Sequence, residues 1–311
     1  MDPFAIAEGN ALLGNSDSAA SVEIASFGGK FRIVGETVMV ALTGAPMKSM
    51  VDGVAVPWRT SFPLNQGQVL DIGSVLEDSG TYGYLHISGG IQVQPEIGSM
   101  GTHLRAGIGG VQGKPLAAGT LLDIAQSTND KSAIQSLPLP DYLGTTSLRV
   151  LWGTQSQRFN SATRERLLDA SFSISHRRDR MAMRLTPQDS DEPFEGLLSG
   201  LSDPVQDGEI QITGDGVPAI VAREHQPTGG YPRIASVISA DLAAAAQLPT
   251  GRVFKFQLVS DTEALDALVQ WRNSIHQLNG LLRPVIRSPD NIENLLGYNL
   301  IDGVISATDD V

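Results

Sequence analysis

Three stretches of this chain concentrate groups that can hold or polarise a small polar ligand. The first covers Ser88–Ile91 and Gly98–Gly110 and carries Arg105 within a run of glycines. Glycine at that density lets backbone N–H groups face a ligand, and a guanidinium can grip a carboxylate or phosphate through two parallel hydrogen bonds. The competing reading is a set of tight turns with Arg105 held in an ion pair. The second stretch, Arg177-Arg178-Asp179-Arg180-Met181-Ala182-Met183-Arg184, packs four arginines into eight residues. It is either a local anion-binding spot or a solvated edge strand whose charges block further pairing. The third, Gln226-Pro227-Thr228-Gly229-Gly230-Tyr231-Pro232-Arg233, joins a Gly-Gly pair open to close backbone approach with polar tips from Gln226, Tyr231 and Arg233. A plain turn does not need that combination. His225 beside it reads as a structural histidine rather than a base.

Much other chemistry is excluded. The 311 residues contain no cysteine, which removes disulfides, thiolate-ligated metals and a thiol nucleophile. His86, His103, His176, His225 and His276 are scattered without a chelating interval, so no metal site is expected. There is no Gly-x-Ser-x-Gly elbow. Lys114 is followed by Pro115 where a P-loop requires a hydroxyl, and Gly107–Gly113 misses the dinucleotide-binding glycine pattern by one residue. Ala45-Pro46-Met47-Lys48-Ser49-Met50 is a near miss to a biotin-carrying turn, and Lys48 is better read as a solvated loop lysine. With 34 acidic against 22 basic residues and a net charge of −12, nucleic acid and anionic membranes are not expected partners.

The elements that must position these groups are mostly strands. Hydrophobic content of 41% with only 18% charged residues indicates a packed chain, and 33 glycines with 17 prolines make it turn-rich. Asp2-Pro3 predicts an N-cap and first turn, with a helix to Leu13 and Gly14 as its C-terminal stop. Short apolar runs at Phe31–Val34, Val38–Leu42, Val69–Ile72 and Tyr82–Ile87 predict strands. A glycine, one variable residue and an apolar run recur at Gly67, Gly119, Gly208 and Gly251, suggesting two related β modules. Gln126–Thr146 is a candidate boundary between them, and Ser161–Ala170 predicts a helix. Ser260 with Glu263 forms a capping box for a C-terminal helix that either covers a barrel or docks a partner. A shorter helix is expected from Ser288-Pro289 to Gly297. The apolar runs fall short of the ~20 residues of a membrane span, and the cytoplasm is the expected location.

Gln226–Asp241 resembles the Q-T-T-G-G-Y-P-K-I-A-x-V-x-x-A-D signature of the 5-oxoprolinase C-subunit family, also called allophanate hydrolase subunit 2 and related to the carboxyltransferase domain of urea carboxylase. Thr43-Gly44-Ala45 with Val51-Asp52-Gly53 and Pro57, the segment from Tyr84 to Gly119, and Asp179–Leu185 resemble three further family motifs. The resemblance implies a mainly β fold of two tandem cyclophilin-like β-barrel subdomains, at 1–140 and 141–260, with a helical tail at 261–311. It implies ATP-dependent opening of 5-oxoproline to glutamate beside a B-subunit partner that holds at least part of the ATP. Arg105, Arg180, Gln226, Thr228, Gly229, Gly230, Tyr231 and Arg233 would then line the substrate site. Asp179 and Asp241 are the acid–base candidates, each with a salt bridge as the competing role. The alternatives are a biotin-dependent carboxyltransferase acting on urea or a similar amide, and a non-enzymatic regulator that binds a kinase inhibitor. Family members begin earlier, with a further N-terminal strand, and Pro227 and Arg233 replace the usual Thr and Lys.

Overall fold

The computed structural model describes residues 1–126, 133–195, 200 and 202–285. Helix α1 (Pro3–Leu13) starts where the sequence predicts: the Asp2 carboxylate accepts from the Ala5 N–H at 3.1 Å, and Gly14 ends the helix in the left-handed region at φ 65°. Eight strands follow, β1 (Val22–Ala25), β2 (Lys30–Arg32), β3 (Val38–Gly44), β4 (Met47–Val51), β5 (Val54–Ala55), β6 (Ser61–Leu64), β7 (Val69–Val75) and β8 (Tyr82–Ile87). They form two four-stranded sheets, ordered β1-β8-β3-β6 and β2-β7-β4-β5. Alternate residues of both sheets, among them Val40, Leu42, Leu85, Leu70 and Ile72, meet in one core. Lys48 lies within β4 rather than in a loop, with its side chain exposed.

The second half begins after β9 (Gln135–Ser136) with β10 (Ser147–Trp152) and α2 (Ser161–Asp169), capped by Asn160. It continues through β11 (Ser171–Arg178), β12 (Ala182–Pro187), β13 (Asp203–Pro204), β14 (Glu209–Ile212), β15 (Pro218–Val221), β16 (Thr228–Gly229), β17 (Arg233–Val237), α3 (Leu242–Gln247) and β18 (Val253–Leu258). Seven of these strands close a barrel in the order β10-β17-β14-β15-β12-β11-β18, while β13 pairs with β16 outside it. Closure leaves β11 and β12 no free edge, so the edge-strand reading of the Arg177–Arg184 cluster does not hold. Phe172, Phe254 and Phe256 fill the barrel with ring centroids 5.3–6.3 Å apart.

Of the recurrent glycines, Gly67, Gly208 and Gly251 adopt positive φ just before β7, β14 and β18. Gly119 has the same φ but leads into no strand, only an isolated bridge between Ile91 and Ile124. Ser260 and Glu263 form the expected capping box of α4 (Asp261–His276), which breaks at Gln277 before α5 (Leu278–Leu281). Arg283–Pro284, strand β19, then pairs with β9. The helix expected at Ser288–Gly297 lies outside the described residues. No helix among the described residues is long and apolar enough to cross a membrane.

Within the first half, α1 packs on β3 and β8. His86 is buried there, and burial lowers its pKa to about 3, so it is neutral. The Thr43 hydroxyl donates to the Ala5 carbonyl at 2.7 Å, so the His86 Nε2–H must donate to Thr43 at 2.9 Å. Gly9 faces the same ring, and a Cβ there would sit 2.1 Å from His86 Cδ2. In an exposed helix Gly→Ala stabilises by about 1 kcal/mol. Here Gly9→Ala is expected to destabilise by about 2 kcal/mol or more through overpacking, measured by urea unfolding, with partial recovery in the Gly9→Ala/His86→Ala double variant. A stabilised single variant would contradict this packing.

Candidate functional site

The turn between β11 and β12 carries the Asp179-Arg180-Met181 motif to the junction of the two halves. Asp179 Oδ1 accepts from the N–H groups of Met181 (2.7 Å) and Ala182 (3.0 Å), which fixes the turn. Its carboxylate is therefore a structural cap. Arg180 reaches both halves: its Nη1 pairs with Glu23 on β1, and its Nε donates to Glu224 at 2.5 Å. Glu224 is only 5% exposed, and Glu23 also accepts from the Tyr84 hydroxyl at 2.8 Å. Arg178 donates to the carbonyls of Ala246 (2.7 Å) and Leu248 (2.5 Å), and Arg184 pairs with Asp215 at 2.6 Å. Most of the arginine cluster is thus spent on holding the structure, and Arg180 is a clamp between two carboxylates.

The glycine-rich segment is a long excursion whose neck is closed by the Gln92 N–H to Asp123 carbonyl bond at 2.8 Å and the Ala125 N–H to Gly90 carbonyl bond at 3.0 Å. Inside it, the N–H groups of Gly107, Gly109 and Gly113 go to the His103 carbonyl, the Glu96 carboxylate and the Gly109 carbonyl. Gly113 has φ 66°, and a Cβ there would meet the Gly107 carbonyl oxygen at 2.0 Å. These glycines serve the tight turns of the segment itself, so they form no phosphate cradle. Arg105 is different. It is exposed, makes no ion pair among the described residues, and its Nη1 contacts Met181 Sδ across the junction.

The third stretch divides. Gln226 is exposed close to the Glu224 turn, whose N–H bonds the Arg180 carbonyl at 2.7 Å. His225 Nδ1 is 2.7 Å from the Gln226 carbonyl, a local contact. Thr228 and Gly229 form β16 against Pro204 and Asp203, Gly230 accepts from the Gly200 N–H at 3.1 Å, and Tyr231 is 44% exposed. The Arg233 side chain is only 5% exposed; its guanidinium lies 3.4 Å from Glu209 and 3.6 Å from Asp203. Gln155 accepts from the Arg233 N–H at 3.1 Å and donates to Asp203 at 2.9 Å. Arg233 therefore anchors the β13–β16 pair from behind. Asp241 lies elsewhere again: Arg149 grips it through Nη2 (2.6 Å), Nε (3.0 Å) and its backbone N–H (2.8 Å).

The candidate residues thus fall into three places. Arg105, Asp179 and Arg180 meet at the junction with Gln226 close by, Thr228 to Arg233 belong to the β13–β16 side, and Asp241 stands with Arg149. Sequence reasoning misses Glu23 and Glu224. Glu224 sits two residues before Gln226 and could be noticed as an acid beside a basic motif, whereas nothing local marks Glu23. A cavity of about 1010 Å³ beneath α4 includes Asp241 but none of the other candidates. We place the candidate site at the junction because Arg105, which makes no ion pair among the described residues, and the motif turns are there. No group of three or more His, Asp or Glu residues suited to a metal ion occurs among the described residues.

A family model described as the carboxyltransferase domain, subdomain A and B, matches residues 1–258. The chain belongs to this family. It is 33% identical over 278 residues to the 5-oxoprolinase C subunit of Haemophilus influenzae, covering 89% of this chain and 86% of that protein. A putative urea carboxylase of Emericella nidulans is 29% identical over 277 residues, covering 85% of this chain but 22% of the relative. In structure, the K. lactis urea amidolyase matches 93% of this chain and 19% of its own length, with a TM-score of 0.78 at 23% identity. That likeness shows the carboxyltransferase-domain fold.

Within this carboxyltransferase fold the Arg180 clamp generates a stability prediction. Arg180→Ala leaves Glu224 buried without its cation and is expected to cost about 1–3 kcal/mol in urea unfolding. Arg105→Ala, at an exposed position, is expected to shift stability by less than about 0.5 kcal/mol. Equal losses from the two substitutions would refute the division of labour between these arginines.

Proposed function

We propose that this chain is the C subunit of an ATP-dependent 5-oxoprolinase, working with a B-subunit partner in the cytoplasm. The observation that carries the proposal is Arg105: a cation without an ion-pair partner among the described residues, brought by one half of the chain onto the Met181 turn of the other. The kinship to the 5-oxoprolinase C subunit over most of both chains supports the same choice of reaction.

A lactam resists water because its nitrogen lone pair is delocalised into the carbonyl. Transfer of the γ-phosphoryl group of ATP to the lactam oxygen converts that oxygen into a leaving group. Water then adds to that carbon, the ring C–N bond breaks with protonation of nitrogen to leave an acyl phosphate, and a second water hydrolyses the acyl phosphate to glutamate and inorganic phosphate. In this sequence Arg105 binds the carboxylate of 5-oxoproline or the transferred phosphoryl group, where a bidentate guanidinium is most effective. Gln226, exposed near the Glu224 turn, orients the amide. Thr228, Gly229, Gly230 and Tyr231 stay on the separate β13–β16 side, which Arg233 supports from behind. Asp179 and Asp241 are committed to backbone and arginine donors, so the water is activated by a group outside this pair. Because the N–H groups of Gly107, Gly109 and Gly113 are used internally, the nucleotide is held mainly by a partner protein.

The second reading, carboxyl transfer from a biotin carrier to urea or a related amide, is favoured by the kinship to urea carboxylase. It needs biotin on another polypeptide, since Lys48 is the second residue of β4 and not at the tip of a turn. The test is reconstitution with the B subunit and the third member of the complex. ATP turnover is expected to depend on 5-oxoproline and to fall at least tenfold in Arg105→Ala with the thermal midpoint unchanged. ATP turnover indifferent to 5-oxoproline would overturn the proposal, and dependence on urea with a biotin carrier would establish the alternative.

A further inference from the structure

Helix α4 has two faces of different character. The inner face buries Ala267 and presents Trp271 and Ile275 to the cluster around Phe4, Leu12 and Leu137. The opposite face carries Leu265, Asp266, Val269, Arg272 and His276, all of them exposed. At 3.6 residues per turn these five lie within an arc of about 120°. Leu265 is 60% exposed and Val269 49%, neighbours one turn apart on that arc. The inner face does the covering that the sequence allows for this helix, and the outer apolar stripe is left uncovered by the described residues.

The charges along the helix decide what fits this stripe. Asp261, Glu263 and Asp266 make its first half acidic, and Arg272 with His276 makes its last turns basic. Asp266 and Arg272 are too far apart along the helix to pair with each other, and neither is in an ion pair among the described residues. Each stands three residues from Val269, on opposite sides of it. A second α4 laid antiparallel across Val269 therefore brings each Asp266 level with the other copy's Arg272, and removes both pairs of Leu265 and Val269 from water. A parallel arrangement would set like charge against like. We propose that the outer face of α4 is a self-association surface, where a second copy of this chain docks with its own α4 antiparallel. One helix pair buries far less than a standard interface, so the dimer is weak and concentration-dependent. Two chains of net charge −12 repel at low ionic strength. At about 150 mM salt the screening length is about 8 Å, which suppresses that repulsion and spares groups in contact.

The test is sedimentation velocity on the full chain alone, at about 150 mM salt, across a wide range of concentration and without ATP, 5-oxoproline or partner proteins. The expected result is a monomer–dimer equilibrium. Val269→Asp, at an exposed position, should weaken dimerisation at least about tenfold and leave the thermal midpoint in place. Asp266→Arg and Arg272→Asp should each weaken it several-fold, and the double variant Asp266→Arg/Arg272→Asp should recover it, because the exchanged charges still match. Mixed together, the two single variants should pair with each other more tightly than either does with itself. A monomer at every concentration would overturn the proposal, whether the face is then bare or covered by another segment of the chain. A dimer indifferent to Val269→Asp, or charge variants that depart from this pattern, would overturn it as well. The stripe contains none of the junction residues, and none of these outcomes bears on 5-oxoproline turnover, so the two proposals fail separately.

Discussion

The buried carboxylate of Asp2 fastens the two halves of the chain to each other. One oxygen caps α1, while the other accepts from the Tyr142 hydroxyl at 2.6 Å and from Gln247 Nε2 at 2.8 Å. Gln247, at the end of α3, is in turn gripped by β8 and the residue before it: its Oε1 accepts from the Thr81 and Tyr82 N–H groups, and its Nε2 also donates to the Tyr82 carbonyl. Burial raises the Asp2 pKa, and the three donors oppose that rise. A buried polar network of this kind is favourable only when every member is satisfied. Its geometry therefore fixes α1, β8 and α3 together. With those three set, Glu23 on β1 and the Arg180 turn of the barrel come within pairing distance, and the junction site follows.

The junction also carries an exposed cation in a chain with a net charge of −12. Arg149, Arg180, Arg184 and Arg233 are each matched by carboxylates, so they add little positive potential outside their own pairs. Arg105 projects from the glycine-rich excursion without such a match. Within the excursion, Gly109, Gly110 and Gly113 have positive φ and are packed so closely that a Cβ would collide with neighbouring atoms.

The local elements are legible because their signals are local. Asp2-Pro3 and Gly14 delimit α1, Ser260 and Glu263 start α4, and glycines at positive φ precede β7, β14 and β18, all visible within a few residues. Gly119 shows the limit of such a signal: the same glycine pattern produces no strand where the chain lacks a neighbour to pair with. The motifs at Arg105 and Asp179–Met181, expected to belong to one site, do come together in space. The third stretch reads in sequence as one surface, yet it is divided by pairing with Asp203, an upstream residue that its own sequence cannot reveal. Arg233 and Asp241 carry charge in the sequence but lose their availability to partners at a distance. The Asp2 network and the Glu23–Arg180 pair join residues more than a hundred positions apart, and no pattern of spacing marks them.

Hydrogen–deuterium exchange on the reconstituted complex, with and without ATP and 5-oxoproline together, tests most directly whether the junction is where the substrate is held. Protection is expected to concentrate in peptides covering Gly98–Gly113, Arg178–Met183 and Ala222–Gly230, with little change in α4. Substrate-dependent protection confined to α4 and the cavity beneath it, with the junction peptides unchanged, would contradict that assignment.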